Sequence, residues 1–231
     1  MKAFFTSLFA IIVILLCNPV MGAFIIEGTD AGTFINPIGP SGMIVSGVET
    51  DTFYYGDPGN FGTGANRLSF AGQNFTTEPE SVFTLGTLTY FNGTTLIGTS
   101  PTSVELNINL SITDPVTLNN DFKFHLDLVT TPNTDDPLES ADYVYLPSMY
   151  SGTAFSINGT DYTLKLFFKQ SESDEGFTEI DKFYVLENCE ASAEILGVIT
   201  TDIHPVPTPG AIWLLGSALL GLVFKKIQAV T

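Results

Sequence analysis

The sequence predicts an all-β fold, a single β-sandwich or jelly-roll-like domain over residues 23–203. Apolar residues alternate with polar ones along several segments, tight-turn dipeptides separate these segments, and no run of ten or more residues there carries a helical period. Residues 24–66 are rich in Gly, Pro, Asn and small polar residues around short apolar pieces, Phe24 to Ile26 and Met43 to Val45, so loops and short edge strands are expected. From Arg67 the pattern becomes strongly β. Val104, Leu106, Ile108, Leu110 and Ile112 alternate with Glu105, Asn107, Asn109 and Ser111, which buries one face of a strand. Phe122, Phe124, Leu126 and Leu128 repeat the stripe opposite Lys123, His125 and Asp127, and Tyr162, Leu164, Leu166 and Phe168 repeat it opposite Lys165. Asn158-Gly159 and Asn92-Gly93 lie between apolar segments and supply the positive φ angles of two-residue hairpins. Later strands are expected over 181–187 and 191–200. Many short antiparallel strands joined by turns bury their apolar faces by packing one sheet on another.

Composition limits what such a domain can bind. All 25 acidic residues lie between Glu27 and Asp202, against Arg67, Lys123, Lys165, Lys169 and Lys182 in the same stretch, so this part carries a net charge of 25 less 5, or about −20. Nucleic-acid binding depends on clustered Lys and Arg, so the charge excludes that class of partner. It favours solubility and can recruit divalent cations.

The two ends read as an address. Lys2 precedes an apolar run from Phe4 to Cys17, then Asn18-Pro19 and the small residues Gly22 and Ala23, the order of a secretory signal peptide over 1–22. Loss of Cys17 leaves Cys189 alone, to pair between chains or stay buried and inert. At the other end, residues 204–231 hold Val206, Pro207, Thr208 and Pro209, an apolar segment from Ala211 to Phe224, and the basic stop Lys225-Lys226. As a helix, those 14 apolar residues cover about 21 Å. A hydrocarbon core is roughly 30 Å thick, so the segment is a marginal, short transmembrane helix unless the lysines snorkel. Lysines on that side place the C-terminus in the cytoplasm and everything before Pro205 outside. This tail resembles a PEP-CTERM sorting signal in its Val-Pro-x-Pro variant, with Thr208 where the name-giving motif has Glu. The resemblance implies recognition and processing by exosortase in a Gram-negative bacterium that makes exopolysaccharide, with the membrane a transient partner before processing.

The central region carries a second resemblance. Arg67-Leu68-Ser69-Phe70-Ala71-Gly72 with Phe75, then Phe83 to Thr94, Thr131-Pro132-Asn133 and Asn158 to Leu164, looks like the choice-of-anchor K domain. That implies an exported β module attached to alternative C-terminal anchors, and no catalytic residue follows from it.

The chemistry of the domain is sparse. A hydrolase needs a nucleophile with a base, yet the exported part has only His125 and His204 and no Gly-x-Ser-x-Gly elbow. His125 reads as a solvated residue on a strand's polar face, and with 25 acids a glycosidase-like carboxylate pair arises by chance. The chain is therefore expected not to be an enzyme and to need no cofactor. Calcium is the one metal with a candidate site: Asp135, Asp136, Glu139 and Asp142 fall in one turn-rich stretch, which otherwise is a solvated acidic loop. Glu172, Asp174, Glu175 and Glu179 read as an exposed hairpin tip. Tyr143, Tyr145 and Tyr150 are candidates for an aromatic carbohydrate platform, the alternative being core or edge packing. Two readings follow: a structural or adhesive surface protein of an exopolysaccharide or biofilm layer, and a calcium-assisted carbohydrate-binding module.

Overall fold

The computed structural model describes residues 24–202, and every regular element among them is a strand. In chain order these are β1 (Ile26–Ile38), β2 (Val45–Ser46), β3 (Thr52–Tyr55), β4 (Asn66–Gly72), β5 (Asn74–Thr77), β6 (Val82–Phe91), β7 (Ser103–Asp114) and β8 (Leu118–Val129). They continue with β9 (Asp142–Tyr145), β10 (Tyr150–Ile157), β11 (Thr160–Phe168), β12 (Ser171–Glu172), β13 (Gly176–Thr178), β14 (Lys182–Val185) and β15 (Glu190–Thr200). Two antiparallel sheets result. The first runs β12-β13-β14-β9-β8-β7-β1-β5 and the second β10-β11-β15-β6-β4-β3-β2.

The alternating segments become the long strands at the centre of these sheets. On β7 and β8, Val104, Leu106, Ile108, Leu110, Phe122, Phe124 and Leu126 point inward, while Glu105, Asn107, Lys123 and His125 point outward. From the second sheet, Phe53, Leu68, Leu85, Leu88, Leu164, Leu166 and Phe168 meet them in one core. Each such side chain contributes about 1.5–3 kcal/mol on burial, which is why the alternation dictates which face turns inward.

Within residues 24–66, β1 overturns the expectation of loops and short edge strands, whereas β2 is a two-residue edge strand among loops, as expected. β1, at 13 residues the longest described strand, is bonded to β7 along most of its length and to β5 on its other side. Its inward positions are Ile26, Gly28, Asp30, Gly32 and Phe34, so small and polar residues replace the apolar stripe and hide the period. The space is filled from elsewhere: a Cβ on Gly32 would lie 2.4 Å from Phe70 Cδ1, and one on Gly28 would lie 2.8 Å from Phe75 Cζ.

The two Asn-Gly turns part company. Asn158 and Gly159 have φ of 53° and 80° and close the β10–β11 hairpin, whose register pairs Ile157 with Thr160. Asn92-Gly93 makes no hairpin. Asn92 is fully buried at the end of β6, donates Nδ2 to the Val185 carbonyl at 3.0 Å, and is followed by a loop to β7. A side chain that pins the end of β14 replaces the expected turn. Cys189 is a free thiol, half-buried and packed against the core.

Candidate functional site

Four chain segments meet on one side of the sandwich. The loop after β1, the loop from β6 to β7, the loop from β8 to β9, and the segment after β14 surround a groove of about 450 Å³. Its polar wall is made by Thr94, Thr131, Asn133, Asp142 and Glu187, and its apolar rim by Pro40, Leu96, Ile97 and Pro132. Among the described residues, no Lys, Arg or His lines it.

Asp142 is the first residue of β9, and the strand's alternation turns it inward with only 3% of its surface exposed. Its Oδ1 accepts hydrogen bonds from the Thr131 backbone N–H at 2.7 Å and the Thr131 hydroxyl at 3.2 Å. Its Oδ2 takes no donor from the described residues and is not sealed inside, so it opens on the groove. Burial pushes the Asp142 carboxyl up to about 6; the Thr131 N–H opposes the shift, and the Glu187 carboxylate adds to it.

Glu187 follows β14, two residues after Val185, the register partner of Asp142. Its Oε1 accepts from Thr94 Oγ1 at 2.5 Å and from Asn133 Nδ2 at 3.2 Å, which leaves Oε2 without a donor. Behind the two acids lie Tyr55 and Tyr90, whose phenols are raised well above their ordinary range, chiefly by burial and further by the charge of Asp142. Asn66 and Asn92 are also fully buried there. Asn66 Oδ1 accepts from the Gly93 N–H at 2.7 Å, while Asn66 Nδ2 and Asn92 Oδ1 have no partner. The result is a polar end to a largely apolar core.

The calcium candidates divide. Asp135, Asp136 and Glu139 stand exposed on the 130–141 loop, where Asp136 Oδ1 caps the Leu138 N–H at 2.9 Å and the buried Ser140 hydroxyl accepts from the Thr134 N–H at 2.8 Å. Asp142, by contrast, is buried beside Glu187, so strand alternation removes it from the loop set. Among the described residues no three His, Cys, Asp or Glu side chains converge on one point.

The tyrosines divide as well. Tyr143 and Tyr145 face outward from β9 in the first sheet, with the Lys182 ammonium 6.0 Å from each ring centre. Tyr150 belongs to β10 at the edge of the second sheet, where its hydroxyl donates to Asp202 at 3.1 Å and Lys165 sits 5.3 Å from its ring. Tyr143 joins an unforeseen row: its ring centre is 4.8 Å from that of Tyr184, and Tyr184 stacks on Phe177 at 4.4 Å and 12°. Tyr184 and Phe177 lie nearly parallel, and Tyr143 is tilted by 38° to Tyr184, at about the 4.8 Å spacing of adjacent strands.

His125 is exposed, with Nε2 3.0 Å from Asp127 Oδ1. Glu172, Asp174 and Glu175 lie on or beside the short β12–β13 hairpin, all exposed. Val206, Pro207, Thr208, Pro209, Lys225, Lys226 and His204 lie outside the described residues. Sequence reasoning missed Glu187, Thr94 and Thr131, since nothing in their local pattern marks them and only the topology brings them together. Compared with protein-family models and with curated proteins, the chain matches none.

Proposed function

We propose that this chain is an exported, non-enzymatic surface or matrix protein, sorted by its C-terminal tail, processed by exosortase and acting structurally or adhesively in an exopolysaccharide layer. The observation that carries the reading is the arrangement of the sequence. A signal-peptide pattern precedes an acidic all-β domain, and a Val-Pro-x-Pro break with a short apolar segment and two lysines follows it. The domain itself is consistent with a scaffold: its histidine and most of its hydroxyls are engaged in surface pairs, turns and strand edges. The test is the intact mass of the secreted protein from cells with and without exosortase. A loss of Trp213 and the residues after it only in cells that hold the enzyme supports the reading, and a mature form that keeps Trp213 in both strains refutes it.

The groove favours a second reading, a carbohydrate-binding module. Loops at one end of a β-sandwich carry two carboxylates with a free oxygen each, beside hydroxyl and amide groups. Screening the secreted protein on a glycan array with and without chelator tests this reading and its dependence on calcium together.

A further inference from the structure

We propose that the groove between Asp142 and Glu187 binds an amino sugar of a polysaccharide, its ammonium held between the two carboxylates. The inference rests on the carbohydrate reading and deepens it, by replacing a bridging calcium ion with the ligand's own positive charge.

Three observations carry it. First, the free valences of the two acids are acceptors. Asp142 Oδ1 and Glu187 Oε1 are saturated by Thr131, Thr94 and Asn133, and the second oxygen of each acid takes no protein donor. Asp142 meanwhile is 97% buried, so solvent and ligand reach it only through the groove. A ligand must therefore bring N–H or O–H donors, and an ammonium brings three with the charge that two adjacent carboxylates lack. Second, no basic side chain among the described residues lines the groove, so covering it with a neutral sugar would leave two desolvated anions uncompensated. Third, about 450 Å³ is far more room than a bare ion fills and falls in the range of small-molecule sites, roughly 300–1,000 Å³. Pro40, Leu96, Ile97 and Pro132 supply an apolar rim for the C–H face of a sugar ring, and Leu96 and Ile97 are otherwise exposed hydrophobics without a role in the core. Two carboxylates meet here, so a calcium ion would have to complete its six to eight oxygens from hydroxyls, carbonyls and water.

The experiment is calorimetric titration of the purified secreted protein with glucosamine oligomers and with their N-acetylated counterparts, at about 0.15 M salt, where charges beyond ~8 Å are screened. The expected result is at least tenfold tighter binding of the amino form, lost in Glu187→Gln and Asp142→Asn and kept in the double variant Asp135→Asn/Asp136→Asn, which changes the loop charge alone. Glu187 is half-buried, so Glu187→Gln tests the site even if Asp142→Asn fails to fold. Equal affinity for both oligomers, or amino-form binding that survives Glu187→Gln, overturns the proposal while leaving a carbohydrate module standing. Binding of neither oligomer overturns it, and a glycan array without any hit removes the carbohydrate reading as well. Heat of binding from calcium chloride alone that disappears in Glu187→Gln also overturns it, in favour of a metal site.

Discussion

Asp30 shows how a single residue sets the response of this protein to pH. It faces inward from β1 with 8% of its surface exposed, its Oδ1 has no partner, and Gly72 lies so close that a Cβ there would be 2.4 Å from that oxygen. Burial raises its carboxyl to about 7, opposed by the Gln73 backbone N–H at 3.4 Å. Since the folded pKa lies above the ordinary 3.8, the native state holds the proton more tightly than the unfolded chain does. The contribution of Asp30 is thus fully present below about pH 4 and is lost as pH rises through about 7. Asp142, raised to about 6, acts in the same direction over a narrower window. Thermal melts of wild type and Asp30→Asn from pH 4 to 8 are expected to diverge, with the variant losing less stability as pH rises. Parallel curves would show that Asp30 is solvated after all.

At the scale of elements, the sheets touch where glycines make room for rings. Phe70 on β4 lies against Gly32 of the opposite sheet and against Gly86 of its neighbour β6, where an added Cβ would be 2.7 Å from Phe70 Cζ. Gly32→Ala is expected to cost about 1–3 kcal/mol through overpacking, and Phe70→Leu in the same chain to recover part of it, as a double-mutant cycle on denaturation midpoints would read. The hairpin tip is a contrasting case. Gly159 has φ of 80° and open space around it, so Gly159→Ala acts through backbone strain alone, about 1 kcal/mol or a fall of roughly 2–4 °C in Tm. These elements also show what was legible in the sequence. β7, β8, β11 and the Asn158-Gly159 turn were readable because large apolar residues and a turn dipeptide report local structure directly. β1 was not, because its inward residues are Gly28, Asp30 and Gly32, complements of Phe75 and Phe70 that lie 40 or so residues away. The groove was hidden for the same reason: Thr94, Thr131, Asp142 and Glu187 meet only after both sheets have formed, whereas Asp135, Asp136 and Glu139 are adjacent in sequence and part in space from Asp142.

For the molecule as a whole, charge is the dominant long-range term, and its sign fixes the effect of salt. Within residues 24–202, 25 acids face five bases. Three of those bases are paired at the surface: Arg67 with Glu190, Lys169 with Glu194 at 2.9 Å, and Lys182 with Glu179 at 3.6 Å. Exposed pairs of this kind are worth about 0–1 kcal/mol each and weaken as salt rises. The repulsion among some twenty uncompensated carboxylates weakens as well, over a screening length that shrinks from about 30 Å at 0.01 M to ~8 Å at 0.15 M. Because the repulsive terms far outnumber the three pairs, screening should stabilise the fold. Raising sodium chloride from about 0.01 M to 0.15 M is expected to raise the Tm in scanning calorimetry, most steeply in the dilute range where the screening length changes most. The same series in potassium chloride should superimpose on it, since the effect is one of ionic strength. A Tm that falls with salt would mean that the ion pairs, and above all Arg67 with Glu190 across β4 and β15, hold the second sheet together more strongly than the net charge drives it apart.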